Sequence, residues 1–179
     1  MSTSDVEAAS HAARLLNMLL GDLSAARHSF EITERIRNNP NITASSAYWA
    51  VVHRAFLVHL VITLSKVAEV YEKYARIIPA STRDDFKRVH DDIQRRGVGD
   101  LRNRFCAHIW DTRHGAPLSL EELDRHITLL CGGDLASLIP WFWNVDSTPD
   151  SPSIGGVVER CRDSLLQEFK LDASVVCSI

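Results

Sequence analysis

One stretch decides what this chain can fold into. From Trp49 onward, Trp49, Val52, Phe56, Leu60, Leu64, Val67, Tyr71 and Tyr74 recur at steps of three or four, the spacing that stacks side chains on one face of an α-helix. Val51, Ala55, Val58 and Ile62 form a second stripe on the same segment. A helix that is apolar on two faces has to be covered on two sides. The segment is therefore expected at the centre of a helical bundle, or between a bundle and a partner subunit. Thr43, Ser45 or Ser46 can cap its start, and it should run to about Ile77.

The flanking sequence is helical as well. Ala12, Leu15, Leu16, Leu19, Leu20, Leu23, Ala26, Phe30 and Ile32 give a first helix over roughly Ser4 to Asn38, stopped by Asn38-Asn39-Pro40. Beyond Ile78-Pro79-Ala80-Ser81-Thr82, read as a break with a new cap, a charged helix continues to about Arg96 with Phe86, Val89 and Ile93 inward. Gly97-Val98-Gly99 interrupts it, and a further helix is expected over Asp100 to Thr112. A turn follows at Arg113-His114-Gly115-Ala116-Pro117. Ser119 and Glu122 fit a capping box for a helix to about Leu130, with another piece between Asp134 and Trp143. Asp146 to Gly156 is rich in Ser, Pro, Gly and Asp and reads as a flexible loop. A last helix, about Val157 to Leu171, carries Val158, Cys161, Leu165 and Phe169 and leaves a short C-terminal tail. No run alternates cleanly enough for strands. The expectation is a single all-α domain over residues 1–179, an up-and-down helical bundle of about five to seven helices.

Composition narrows the function classes. Length, at 179 residues, fits one domain able to bury a core, and 45% hydrophobic with 24% charged residues is a globular balance. Twenty Lys and Arg against 23 Asp and Glu give a net charge of −3, which speaks against a general polyanion-coating protein but not against a local basic site. The apolar run Phe56–Leu64 is interrupted by His59 and is far short of the ~20 residues a bilayer span needs. MSTSDVEAAS lacks the cationic and apolar regions of a secretory signal. Cys106, Cys131, Cys161 and Cys177 are widely spaced and read as reduced thiols. A cytoplasmic protein without membrane association is expected.

Chemistry concentrates in one place. The eight histidines, at positions 11, 28, 53, 59, 90, 108, 114 and 126, include no pair at metal-binding helical spacing, so no metal and no cofactor is expected. No phosphate-cradling glycine loop and no nucleophile elbow is present. Glu31/Glu34 and Asp91/Asp92 read as solvated faces, and Trp141-Phe142-Trp143 reads as core or subunit contact before ligand site. Arg102-Asn103-Arg104-Phe105-Cys106-Ala107-His108 stands out, with two guanidiniums, an amide and an imidazole within seven residues. A guanidinium holds a phosphate through two parallel hydrogen bonds and keeps its charge, while an imidazole moves a proton near neutrality. Together they suffice for metal-free RNA cleavage, in which a base takes the ribose 2′-OH proton and cations stabilise the phosphorane-like charge. The plainer reading is an arginine pair serving acidic neighbours and a satisfied helix histidine. On an ideal helix Arg102 and His108 lie ~240° apart and ~9 Å along the axis, whereas Arg104 and His108 share a face, so which arginine is nearer the histidine stays open.

The segment Arg102 to His108 resembles the R-x(4–6)-H signature of the HEPN superfamily. Phe56 to Glu72, with Leu64-Ser65-Lys66-Val67-Ala68-Glu69, is similar to the helix preceding that motif in the abortive-infection AbiU-type branch. The resemblance spans residues 10 to 130, weakly outside the motif. It implies a HEPN-like bundle that dimerises with both motifs facing one cleft, and a metal-independent endoribonuclease of the toxin or phage-defence kind. It implies Arg102 on the scissile phosphate, His108 as general acid or base and Asn103 orienting one of them. Arg104 is then a further phosphate contact, and Glu69 an acidic partner from the long helix. RNA is the implied substrate, a homodimer the implied assembly, and a nucleotidyltransferase-like antitoxin a partner by family habit. Some members have lost catalysis, which leaves a non-catalytic module binding RNA, a nucleotide or a protein as the alternative. A third reading is an assembly scaffold that uses Trp141 and Trp143.

Overall fold

The computed structural model describes residues 2–43, 45–106, 110–111, 116–117, 119–133, 135–144, 152–172 and 174–177. The fold is an all-α helical bundle. α1 (Thr3–Arg37) opens with a capping box in which Ser2 Oγ accepts the Asp5 N–H and the Asp5 carboxylate accepts the Ser2 N–H. Its Leu16, Leu23 and Ala12 are fully buried. α2 (Ser46–Tyr74) is capped by the Ser45 hydroxyl. Contacts His11–Tyr74, Asp22–His59 and Phe30–Phe56 pair rising numbers on α1 with falling numbers on α2, so the two run antiparallel.

α2 carries the expected central stripe: Leu60, Leu64 and Val67 are fully buried, Phe56 and Tyr74 nearly so. Fully burying side chains of this size stabilises by about 1.5–3 kcal/mol each. The second stripe behaves differently. Val51 is 68% exposed and Ala55 is exposed, whereas Val58 and Ile62 are half-buried, so among the described residues this face is covered only in part. Residues Val51–Tyr74 are also long and apolar enough to cross a membrane by length and composition.

α3 (Ala80–Arg95) packs between α2 and α7 (Ile154–Glu168), with Phe86 and Ile93 inward. Its N-cap is Pro79, without a side-chain cap; Thr82 turns back on the Pro79 carbonyl instead. α7 lies along α1 and closes the core with Val157, Val158, Cys161 and Leu165. It begins inside the stretch expected to be loop, because Ser153 caps it through the Gly156 N–H at 3.2 Å. Residues 146–151 of that expected loop fall outside the described residues. α5 (Leu120–Cys131) starts with the expected Ser119/Glu122 capping box, and α6 (Leu135–Phe142) follows. α8 (Ser174–Cys177) returns the tail to α1, where Asn17 Nδ2 donates to the Val176 carbonyl at 3.0 Å.

The expected helix over Asp100–Thr112 is where the fold departs most from the sequence reading. Gly97 adopts φ +68°, a left-handed conformation, and an added Cβ would meet Leu129 Cδ2 at 3.2 Å. From there the chain makes one α turn, α4 (Val98–Leu101), and then a π-turn over Arg102–Cys106. Trp110–Asp111 (β1) pairs antiparallel with Ala116–Pro117 (β2), a two-residue ladder instead of continued helix. The Asp91/Asp92 pair also divides: Asp91 bonds Lys87 at 2.6 Å on the surface, whereas Asp92 forms an ion pair with Arg96 at 3.5 Å and accepts from Arg95 and the Trp141 indole. That bond and the Arg96 guanidinium 4.0 Å over the Trp141 ring join α3 to α6, which places the tryptophan cluster in packing.

Candidate functional site

A π-turn closes i→i+5 rings and inserts one residue into a helical path; such turns occur often at functional sites. Here it replaces the α-helical geometry on which the ~240° separation of Arg102 and His108 rests. Leu101 and Phe105, four apart, point inward at 1% and 9% exposure and anchor the turn. The Arg54 guanidinium lies 4.5 Å over the Phe105 ring and fixes the turn to α2. With those anchors set, Arg102 and Asn103 face outward and Arg104 is turned sideways into a half-buried position.

Arg102 and Asn103 line a groove of about 180 Å³ between α2, α3 and α4, together with Ser65, Glu69, Glu72 and Gln94. Arg102 Nη1 donates to Glu69 Oε1, and both side chains are about half exposed, at 44% and 54%. Across the groove Glu72 Oε1 is held by His90 Nε2 at 3.2 Å and by Gln94 Nε2 at 3.4 Å. The groove thus offers one guanidinium and one amide from the π-turn, facing two carboxylates from α2. Glu69, from the middle of α2, is the carboxylate that Arg102 meets.

Arg104 does not line that groove. Its Nη1 donates to His126 Nε2 at 3.2 Å and its Nη2 to Glu122 Oε1 at 3.3 Å, both on α5. Because guanidinium is always a donor, His126 Nε2 is an acceptor and the ring is neutral, with its proton on Nδ1. Burial pushes the His126 imidazolium down from its ordinary value, and the Arg104 and Arg125 charges push the same way against Asp100 and Glu122. Glu122 is held below the usual carboxylate range, first by the Ser119 N–H and hydroxyl of its capping box and then by Arg104.

His108, the expected acid or base, lies outside the described residues. Arg102, Asn103 and Glu69 come together; Arg104 belongs to a second cluster. His126 was one of eight unremarkable histidines in the sequence. The only signal for it was its place four residues after Glu122, on the same face of a capped helix. Among the described residues no three His, Cys, Asp or Glu side chains gather as metal ligands would. Cys161 is buried against the Thr82 carbonyl, and burial raises its thiol to about 11, which leaves it unreactive at neutral pH.

No family model matches the chain. No curated protein matches it either. Its fold is similar to that of an integron cassette protein from the mobile metagenome of V. paracholerae, with a TM-score of 0.67 over 92% of this chain and 97% of that chain at 24% identity. That likeness concerns the fold, an all-α bundle.

Proposed function

We propose that this chain is a metal-independent endoribonuclease of HEPN type, a toxin or phage-defence effector. The observation that carries the reading is the π-turn that presents Arg102 and Asn103 side by side into a groove walled by the long central helix. In the proposed reaction His108 takes the ribose 2′-OH proton, the 2′ oxygen attacks the adjacent phosphorus, and the 5′ oxygen leaves with a proton returned to it. The products are a 2′,3′-cyclic phosphate and a 5′-hydroxyl. Arg102 stabilises the non-bridging oxygens, and Asn103 orients the phosphate or the imidazole. An exposed ion pair contributes only about 0–1 kcal/mol, so a phosphate can displace Glu69 from Arg102.

The assembly proposed with it is a homodimer in the cytoplasm. The open stripe on α2 supports it, as do exposed Ile32, Ile42, Tyr48 and Val51 on or beside the α1–α2 hairpin, an apolar set that a second copy would cover. Two copies would bring Arg102 from each chain toward one cleft and offset the net charge of −3 locally. A nucleotidyltransferase-like antitoxin belongs to the same proposal. Glu69 and Glu72 favour a second reading: two carboxylates in the groove oppose a phosphate, as suits a module that binds RNA, a nucleotide or a protein without turnover.

The test is incubation of wild type and His108→Ala with total RNA in EDTA, followed by mapping of the ends. Cleavage by wild type alone, leaving cyclic phosphates, is the expected outcome. Intact RNA with salt-sensitive binding would select the second reading.

A further inference from the structure

A second depression, of about 320 Å³, runs between α1 and α2 on the other side of Glu69 from the Arg102 groove. Each helix contributes positions i, i+3, i+4 and i+7: Leu15, Met18, Leu19 and Asp22 from α1, and Lys66, Glu69, Val70 and Lys73 from α2. The depression is therefore a furrow two helical turns long, the shape into which a ridge of another helix packs. Met18 is 50% exposed at its lip, a flexible apolar side chain suited to an adaptable contact surface.

The rim chemistry is unbalanced in a specific way. Lys66 and Lys73 are both exposed, and among the described residues neither ammonium makes an ion pair; Lys73 lies 5.2 Å over the Tyr74 ring. Glu69, between them in sequence, is taken by Arg102, and Asp22 is on the opposite wall. Seven residues are nearly two full turns, so the lysines share a face and sit ~10.5 Å apart along the axis. A nucleic acid strand would meet the two cations but find no aromatic face for its bases. Tyr74 is only 5% exposed, with its hydroxyl on His11 at 2.7 Å.

We propose that this furrow docks an amphipathic helix of a protein partner, with apolar residues at i, i+3 or i+4, and i+7, and two carboxylates seven residues apart that pair with Lys66 and Lys73. This goes beyond the ribonuclease reading and stands without it, since none of the docking contacts is Arg102, Asn103 or His108.

The probe is a displayed library of amphipathic helical peptides selected on the full chain. Enriched peptides are expected to carry acidic residues seven apart beside the apolar stripe. They should lose about tenfold or more in affinity for Lys66→Glu/Lys73→Glu. Peptides with lysines at the two acidic positions should bind that double variant in their place. Because both lysines are exposed on α2, the variant is expected to fold, which circular dichroism and melting check. Several results would overturn the proposal. They are no enriched peptide, enriched peptides without the acidic spacing, or equal affinity for wild type and the folded double variant. Oligouridylate binding that alone depends on Lys66 and Lys73 would overturn it too, as would a homodimer lost in the double variant with no peptide bound.

Discussion

Arg102 and Arg104 are two residues apart, carry the same charge and are built into the molecule in different ways. Arg102 stands at a groove, about half exposed, and its partner Glu69 is as open to water as it is. Arg104 is 23% exposed and is tied to two residues of α5, one of them a buried neutral histidine. The first arrangement costs little to undo and leaves a guanidinium that an anion can take over. The second closes the π-turn onto α5, so its removal is felt by the fold. Charge alone does not mark a binding residue; the accessibility of the guanidinium and the strength of its existing partners do.

The largest effect expected from breaking this contrast is on turnover. Arg102→Ala should lower RNA cleavage by about 10²–10³-fold, the usual loss when a donor to a developing charge is removed. Its melting temperature should stay near wild type, because the ion pair it loses is exposed. Arg104→Ala should invert the pattern. It leaves the buried His126 Nε2 without its donor and should lower stability by about 1–3 kcal/mol in urea melts, with cleavage per folded molecule largely kept.

A third effect depends on pH. The folded-state pKa of His126 lies below its ordinary value of about 6.5, so between the two the unfolded chain binds a proton that the folded chain does not. Its contribution is therefore complete above about pH 6.5 and is lost as pH falls below it. Urea melts at pH 7.5 and 5.5 should show this loss in wild type. His126→Gln, whose amide oxygen can accept from Arg104 without titrating, should show less of it. The smallest effect sharpens the Arg102 side: Glu69→Gln should tighten phosphate or RNA binding by up to about fivefold at low salt, measured by titration, because an exposed pair holds no more than about 1 kcal/mol.

The bundle was legible because its determinants are local and repetitive. The stripe from Phe56 to Tyr74, the Ser119/Glu122 box and the Asn-Asn-Pro stop each act over a few residues, and each appears where the spacing puts it. The turn after Gly97 was not legible. A π-turn and an α-helix draw on the same residue types, and the choice at Arg102–Cys106 rests on the anchoring of Leu101 and Phe105 and on the stacking of Arg54, a residue 51 positions from Phe105 in sequence. The second stripe of α2 is apolar, yet among the described residues it is covered only at Val58 and Ile62 and stays open at Val51 and Ala55. Periodicity reports what a face would gain from burial and says nothing of which molecule covers it. At the site, Arg102, Asn103 and Glu69 line one groove, a convergence of α2 with the π-turn that spacing within either segment does not report. The Arg104–His126 link was invisible because it joins two helices through a single pair of side chains.

The most direct test of the account compares Arg102→Ala and Arg104→Ala in one cleavage assay on RNA in EDTA, each scaled to its folded fraction. Arg102→Ala is expected to be well folded and to lose about 10²–10³-fold in cleavage, and Arg104→Ala to be less stable and still to cleave. Wild-type cleavage by Arg102→Ala, with cleavage lost only in folded Arg104→Ala, would contradict the account.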